Sequence, residues 1–498
     1  MRRNVAILAL LLTIVVGITA ALGAIFGGGT AEGAPAEVPG SSIGAPVPAG
    51  PVTEDERARL EREHAEMLDR DFPLHGLVTK TQITVRANAD SESTILGWLR
   101  IGAHVRARRE STQTSTCRSG WYAIYPRGWA CAGQGVDFTE TAPADSEMAP
   151  DLESALPYRY LFVKEQQVPE YHQLPSREDQ RAAQAHAERY VALLEAGDER
   201  RAQQLREGRL AGEPPRPPEV ARFLDHGFFV ASNGVEVRSR RRFVRTVRGS
   251  YIKEAQLEER TGSQFAGIEL GGELTLPQAW LIRAARPMVR SGERVRDEEG
   301  VEPIERLARV TWVRRERVGD QSYHVIRMPN GDERHMREWF VALAEPIERP
   351  RGIADDEPWV HVDLSSQTLV VYRGRTPIYA TLVSSGTEGH ETPIGEFTIR
   401  RKMVTDTMAD LGSSELGDDR YRIEDVPWTQ YFDGSIALHA AFWHGGYGIV
   451  HSHGCVNLSP RDAQYVYRHT WPEVPEGWHG VSTEPGTGFT GSRVIVTQ

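Results

Sequence analysis

Cysteine is scarce in this sequence and positive charge is not in excess, and each shortage excludes a class of protein. Only 3 Cys occur among 498 residues, too few for a disulfide-dense scaffold or a multi-cysteine metal protein. Because the count is odd, at least one thiol stays unpaired within the chain. Lys and Arg total 58 against 69 Asp and Glu, a formal net charge of -11, which argues against general nucleic-acid binding.

The remaining composition is that of a folded, multi-domain protein. Hydrophobic residues make up 40% and charged residues 26% of the chain, with 11 Trp, enough apolar material for several ordinary cores. At roughly 150 residues per domain, the length predicts about three domains.

The first 30 residues have the pattern of an export signal. Arg2 and Arg3 precede an uncharged, mostly apolar run from Asn4 to Thr30. Its apolar part from Val5 to Phe26 is longer than the about 15 residues of a cleavable signal core and close to the about 20 that span a bilayer. Residues 1–30 are therefore predicted as a signal peptide or membrane anchor, and the small residues of Ala34-Pro35-Ala36 keep cleavage open.

The basic N-terminal flank also predicts where the rest of the chain lies. By the positive-inside rule, everything after about residue 30 is exported to the periplasm or cell-wall space. If the segment is not cleaved, it anchors the protein to the inner membrane. No Cys stands directly after the apolar run, where a lipid would be attached, which excludes an N-terminal lipoprotein.

Residues 31–140 read as a tether followed by a small β module. Residues 31–75 are a Gly-, Pro-, Ala- and Ser-rich linker with a short charged helix at Glu54–Arg70. Short strands and Gly turns over 76–140 predict a small barrel. Val85-Arg86-Ala87, Gly120-Trp121 and Gly128 to Cys131 resemble bacterial Src-homology-3-like modules. The resemblance implies an accessory role that faces the wall, either binding of cell-wall polymer or a spacer, and no catalysis.

Two of the three cysteines flank the strand of this module that contains Trp121. In an exported barrel, a disulfide between Cys117 and Cys131 is favoured over two free thiols. That pairing leaves Cys455 as the free thiol.

Residues 156–345 are predicted as a β-rich middle region with a helical insert. Ala182 to Leu205 indicates one helix or a helical pair broken near Gly197, and the strands after it suggest a second Src-homology-3-like barrel. An arginine-rich run between Arg238 and Arg248 fits a solvated strand face better than a contact with anionic wall polymer.

Strands with clear alternation return in the last segment, 357–498. Trp359 to Leu364 is the first, and a stiff loop with Pro and Gly follows at Glu391 to Phe397. Four His and the odd Cys then cluster between His439 and Cys455.

Three hypotheses compete for this cluster. The first is that Cys455 is a buried small hydrophobe beside satisfied core His. The second is zinc bound by His451, His453 and Cys455 with His439 or His444, although the familiar paired-ligand spacings are lacking. The third is nucleophilic catalysis, in which a thiol attacks a carbonyl, an imidazole handles the proton and backbone amides near a Gly hold the oxyanion. The third uses every feature of the cluster.

Ser452-His453-Gly454-Cys455-Val456-Asn457, preceded by His439, resembles the signature of the L,D-transpeptidase catalytic domain of the YkuD type over residues 357–498. The resemblance implies a mainly β, multi-domain protein that ends in a β-sandwich-like catalytic domain with short helices. It also implies no cofactor and no metal.

The resemblance assigns a role to each residue of the motif. Cys455 is the nucleophile, His439 is the general base and the carbonyl of Ala440 orients the imidazole. The backbone amides of His453, Gly454 and Cys455 form the oxyanion hole, and Ser452 and Ala440 help to shape the site. Asn457 orders the loop or contacts substrate, and His444 also contacts substrate. The loop between His439 and Ser452 is short, which leaves open whether His439 or His444 faces the thiol.

The implied reaction is acyl transfer on peptidoglycan stem peptides. Cys455 forms a thioester at diaminopimelate of a stem tetrapeptide, D-Ala leaves, and an amine takes the acyl group. A thiol suits this because it is partly ionised near neutral pH, more so if the imidazole lowers its pKa. The alternatives are an L,D-carboxypeptidase, attachment of a protein to the wall by the same site, and a non-catalytic wall-binding anchor.

Overall fold

The structure is a computed structural model and describes residues 54–298, 300–410 and 421–498. Over these ranges the chain is mainly β, with several sheets and four α-helices, as predicted. The first helix, α1 (Glu54–Asp71), coincides with the predicted charged helix. None of the helices in these ranges is long and apolar enough to cross a bilayer, and the predicted signal or anchor at 1–30 lies outside the described residues.

Seven short strands follow α1, and they are β1 (Leu74–Leu77), β2 (Gln82–Arg86), β3 (Ile95–Arg100), β4 (His104–Thr112), β5 (Trp121–Ile124), β6 (Trp129–Cys131) and β7 (Phe138–Thr139). They pair antiparallel as β1–β4, β1–β7, β2–β3, β2–β6, β4–β5 and β5–β6. Alternate side chains such as Val85 and Leu99 fill a core. The described strands form no closed barrel, so the Src-homology-3-like module stays a prediction.

The cysteines of this module are joined. Cys117 and Cys131 form a disulfide with an S–S distance of 2.01 Å. Both are buried beside Trp121, and Cys455 is the free thiol.

The middle region begins with β8 (Arg159–Val163), β9 (Val168–Tyr171), α2 (Arg177–Glu195), α3 (Glu199–Arg206), β10 (Val220–Leu224), β11 (Phe229–Arg238), β12 (Arg241–Thr246), β13 (Tyr251–Lys253), the 3₁₀ turn Glu254–Gln256, β14 (Leu257–Arg260) and β15 (Ile268–Glu269). Ser176 and Asp179 cap α2 reciprocally, which satisfies amides at the start of the helix. The predicted break between two helices is confirmed at Gly197, whose φ of 74° is readily adopted by glycine.

A seven-stranded sheet comes next and contains β16 (Gln278–Leu281), β17 (Met288–Ser291), β18 (Arg294–Asp297), β19 (Arg309–Val318), β20 (Gln321–Arg327), β21 (Glu333–Arg337) and, after the 3₁₀ turn Glu338–Phe340, β22 (Val341–Ala344). Asn330 and Gly331 lie in the loop that joins β20 to β21. Register pairs Arg327 with Glu333, so the connection is a longer loop than a two-residue turn.

The last segment contains β23 (Pro358–Asp363), β24 (Thr368–Arg373), β25 (Thr376–Leu382), β26 (Gly395–Thr398), β27 (Arg401–Asp410), β28 (Tyr421–Asp433), β29 (Ile436–Ala440), β30 (Val456–Leu458), α4 (Pro460–Arg468), β31 (Trp478–Ser482) and β32 (Arg493–Thr497). One sheet has the order β15-β25-β24-β23-β32-β26, and β31, β27, β28, β29 and β30 pair successively in another. Val360, Leu438 and Val466 belong to the core that both sheets and α4 share.

Two earlier parts of the chain add strands to this segment. β15 pairs with β25, Ile268 opposite Ala380, and the amide of Gly267 donates to the buried carboxylate of Asp462 at 2.7 Å. β3 pairs with β31, Trp98 opposite Gly480. The sheets around the cysteine cluster are therefore completed from the N-terminal and middle regions.

Candidate active site

Cys455 and His439 lie on neighbouring strands. β29 and β30 run parallel, with His439 opposite Asn457 and Leu438 opposite Val456. Because alternate residues of a strand share a face, Cys455, directly before β30, is expected on the face of Asn457, which lies opposite His439. The strand register therefore brings the segment that carries Cys455 next to the strand that carries His439.

His439 is held in a single orientation. Its side chain is buried, and Nδ1 lies 3.1 Å from the carbonyl oxygen of Ala440. The ring stacks on Trp443 with centroids 5.7 Å apart. Burial lowers the pKa of His439 to about 4, opposed by the bond to Ala440. At neutral pH the ring is uncharged, Nδ1 donates to Ala440, and Nε2 keeps a free lone pair.

The thiol of Cys455 is a neutral group in this environment. Cys455 is half-buried, and its sulfur lies 3.7 Å from the carbonyl oxygen of Ser435. Burial raises the pKa of the thiol to about 11, opposed by the backbone N–H of Ala437. The raised pKa runs against the partial ionisation expected of a thiol near neutral pH, because desolvation of the thiolate is its largest cause.

A neutral thiol predicts a steep pH dependence of alkylation. The thiolate fraction of Cys455 should rise about tenfold per pH unit until the pH nears the raised pKa. We expect the second-order rate of alkylation by iodoacetamide, followed by mass spectrometry of the peptide containing Cys455, to climb from about pH 7 to about pH 10. A plateau already reached near pH 6 would instead show a preformed thiolate–imidazolium pair.

His444, the other candidate base, has both ring nitrogens engaged. Nδ1 accepts the backbone N–H of Gly446 at 3.0 Å, and Nε2 lies 2.9 Å from the side-chain amide of Asn457. Since a neutral imidazole carries one proton, Nε2 is the protonated nitrogen, and its N–H is accepted when the Asn457 amide is turned so that Oδ1, which otherwise has no hydrogen-bond partner among the described residues, faces it. Burial, together with nearby His451 and His439, lowers the pKa of His444 to about 3. The arrangement makes His444 a support for Asn457.

The loop that carries the nucleophile is fixed by Ser452 and Gly454. The Ser452 hydroxyl donates to the carbonyl of Cys455 and accepts the amide of Gly454 at 3.2 Å. Gly454 has a φ of 111°, and a Cβ there would lie 2.7 Å from Cδ1 of Ile436, so the turn requires glycine. With the Gly454 amide already used, the amides of His453 and Cys455 are the remaining oxyanion donors of the motif. Neither donates to an acceptor among the described residues.

Thr392 is a positioning residue that the motif did not identify. Its hydroxyl accepts the amide of Gly386 at 3.0 Å and donates to the carbonyl of Gly454 at 2.8 Å. It therefore locks the nucleophile loop to the loop 386–392. The only sequence signal was the Pro- and Gly-containing segment Glu391 to Phe397, which indicated a stiff loop at a cleft.

A second support lies below the nucleophile loop. Ser384 and Asn457 exchange two backbone hydrogen bonds of 2.9 Å. The amide side chain of Gln367 bonds both the N–H and the hydroxyl of Ser385, at 2.8 and 2.6 Å, and the carbonyl of Ser385 accepts the amide of Ser452 at 3.0 Å. No sequence pattern marked Gln367.

The ring of His453 lies on the outer side of the site. It contacts the rings of His390 and Tyr421, with centroids 4.8 and 5.7 Å apart, and it is exposed. The His453 imidazole therefore faces solvent, and the backbone amide of this residue is the group that remains a candidate donor in the site.

Trp443 connects the site to the middle region. Phe229 of β11 packs on Phe442 and Trp443, with ring centroids 5.5 and 6.4 Å apart. Since Trp443 stacks on His439, residues some 200 positions upstream brace the candidate base.

The geometry also bears on the zinc hypothesis. Within the ranges that the structure describes, no group of three or more His, Cys, Asp or Glu side chains is arranged to hold a metal ion. The His451 ring packs edge-on against His444 at 4.3 Å between centroids.

A family model assigns this segment. Residues 357–496 match the model described as YkuD, the L,D-transpeptidase catalytic domain, which confirms the resemblance predicted for 357–498. No curated protein matches the chain.

Solved structures similar to the chain bear the same family name. An L,D-transpeptidase from Stackebrandtia nassauensis is 25% identical over 29% of this chain and 57% of its own length, with a TM-score of 0.21. A mutant L,D-transpeptidase from Enterococcus faecium is 20% identical over 28% of this chain and 50% of its own, with a TM-score of 0.22. L,D-transpeptidase 3 from Mycobacterium tuberculosis is 18% identical over 38% and 79%, with a TM-score of 0.23. The chain thus spans about half the length of the first two.

Proposed function

We propose that this protein is a peptidoglycan L,D-transpeptidase in which Cys455 carries the acyl group. The observations that support the proposal are the register of β29 and β30, in which His439 lies opposite Asn457, two residues after the free thiol, and the carbonyl of Ala440 at 3.1 Å from Nδ1 of that imidazole. The family match of residues 357–496 supports the same reaction class.

In the first half-reaction the sulfur of Cys455 attacks the carbonyl carbon of diaminopimelate, in the peptide bond that joins it to D-Ala in a stem tetrapeptide. Because thiol and imidazole are both neutral, Nε2 of His439 takes the thiol proton as the S–C bond forms. The imidazolium then returns this proton to the nitrogen of D-Ala as the C–N bond breaks. The products are a thioester on Cys455 and free D-Ala.

In the second half-reaction an amine of another stem attacks the thioester. Nε2 of His439 accepts a proton from the amine, and the thiolate leaves and is reprotonated by the imidazolium. One amide bond has been exchanged for another, so the reaction needs no energy source beyond the substrate.

The oxyanion formed in each step needs donors that are fixed in advance. The amides of His453 and Cys455 are suited to this, because Ser452, Gly454 and Thr392 fix the loop that presents them. Preorganised donors of this kind are commonly worth about 10²- to 10³-fold in rate each.

Large apolar side chains are exposed on segments that adjoin the Cys455 loop along the chain or through the Thr392 hydrogen bond. Ile394, on the loop that follows Thr392, and Ile449 and Val450, which precede His451, are large apolar side chains exposed by 57%, 40% and 50%. They offer contacts for the apolar parts of a stem peptide. Contact of the strand module 76–140 with wall polymer and membrane attachment through residues 1–30 belong to this same proposal, as does action outside the cytoplasm.

The proposal is tested by exchange of a D-amino acid. The chain from residue 53 to 498 is incubated with a diaminopimelate-containing tetrapeptide and excess D-methionine, and the peptides are separated by mass spectrometry. We expect a product in which D-Met replaces D-Ala, and no such product with Cys455→Ala or with L-methionine.

Other outcomes assign the site differently. Loss of D-Ala without D-Met incorporation would identify water as the acceptor and an L,D-carboxypeptidase. Equal exchange by the Cys455→Ala variant would contradict the proposal.

A further inference from the structure

A basic cavity lies in the middle region, on elements that do not carry Cys455 or His439. It has a volume of about 610 Å³, within the range of about 300–1,000 Å³ usual for small-ligand sites. The first turns of α2, strand β9 and the β12–β13 hairpin form its walls. Four of its lining residues are cations, Arg177, Arg181, Arg241 and Lys253, and none is a carboxylate.

Arg241 is an unpartnered charge in this cavity. Its Nε and Nη1 atoms are buried and have no hydrogen-bond partner among the described residues. Its guanidinium lies 5.8 Å from the ring centroid of Phe243, which fixes the side chain along β12. Buried charged donors without acceptors cost free energy, and an anionic ligand would recover it.

Other arginines of the run between Arg238 and Arg248 are paired with carboxylates, unlike the cations of the cavity. Arg242 binds Glu254 and Arg245 binds Glu147. In contrast, the four cations of the cavity form no ion pair within the described part of the chain. Asp179, at the start of α2, is engaged in capping, because it accepts the amide of Ser176 at 2.6 Å.

The spacing of the cations fits a ligand with more than one anionic group. Arg177 and Arg181 are four residues apart on α2, which places them about 6 Å apart along one face of the helix. Both are exposed at the rim, as is Lys253 on the facing hairpin, while Arg241 is part-buried. Guanidinium groups bind phosphate in bidentate geometry.

We infer that this cavity binds the phosphate groups of a linear compound that carries several of them. The source is either a soluble polyphosphorylated compound or a phosphodiester polymer, and both present the same chemistry to the arginines. The site is separate from acyl transfer and does not depend on it.

Isothermal titration calorimetry of residues 53–498 with inorganic pyrophosphate tests the site. The variant is Arg177→Gln with Arg181→Gln, and the matched control is Arg294→Gln with Arg296→Gln, two exposed arginines on β18. Each pair of substitutions removes two positive charges from the surface. We expect the first pair to weaken pyrophosphate binding by about tenfold or more, the control pair to leave it nearly unchanged, and neither to alter D-amino-acid exchange.

A second titration separates the sources. If the protein binds a long polyphosphate more tightly than pyrophosphate, the proposal is supported and the ligand is a polymer. If it binds both with equal affinity, the proposal is supported and the ligand is a small compound. No binding of pyrophosphate, equal loss in both variant pairs, or equally tight binding of tricarballylate would overturn it.

Discussion

Replacing Cys455 by Ser is expected to abolish D-amino-acid exchange, with a loss of roughly 10⁴-fold or more in kcat/KM. The hydroxyl is a far weaker nucleophile than a thiol, and His439 would have to remove a proton from a group of much higher pKa. An ester is also a poorer acyl donor to an amine than a thioester. Initial rates from the peptide exchange assay measure the effect.

The fold provides the control for this variant. Serine is nearly the size of cysteine, and its hydroxyl can still donate to the carbonyl of Ser435, where the thiol lies now. We therefore expect the thermal midpoint to shift by no more than about 3 °C. Retention of more than a tenth of the activity by Cys455→Ser would place the nucleophile elsewhere.

Replacing His439 by Gln is expected to cost about 10²- to 10⁴-fold in kcat, the usual contribution of a general base. Glutamine cannot accept the proton, although its amide can still bond the carbonyl of Ala440. The matched change is His444→Gln, since His444 is also largely buried and its pKa is also lowered.

These two variants separate the candidate bases. Both remove a buried imidazole, so comparable losses of stability are expected. Because both nitrogens of His444 are engaged by Gly446 and Asn457, its loss should cost at least about tenfold less activity than the loss of His439. The reverse order would make His444 the base.

Local elements of the fold were predictable because their signals lie close together in the chain. Alternation indicated a strand at Trp359–Leu364, and the structure has Pro358–Asp363. Gly197 separates two helices because it adopts a positive φ.

The long-range pairings of strands were not predictable in the same way. β15 contains only two residues and borders a sheet whose other strands begin some 90 residues later. A Cβ on Gly97 would lie 2.3 Å from the carbonyl oxygen of Gly480, so the glycine at position 97 permits β3 to approach β31. Side-chain period indicates which face of a strand is buried but not which edge it pairs with.

In the candidate site, too, residues that lie close together in the chain were predictable and residues that act over long distances in the chain were not. Cys455, His439 and Ser452 stand in one compact motif and could be selected from it. Thr392 and Gln367 act through hydrogen bonds to distant backbone groups, which leave no trace in composition. The pKa values could not be predicted either, because burial raises that of Cys455 and lowers that of His439.

Acid-quenched mass spectrometry shows whether the acyl group is carried on Cys455. The protein is mixed with tetrapeptide in the absence of an acceptor, quenched within seconds and digested. We expect one acyl adduct on the peptide that contains Cys455, with the mass of the tetrapeptide less D-Ala. The adduct should be absent from the Cys455→Ala variant. Exchange product formed at full rate with no adduct on Cys455, or an adduct on another residue, would contradict this expectation.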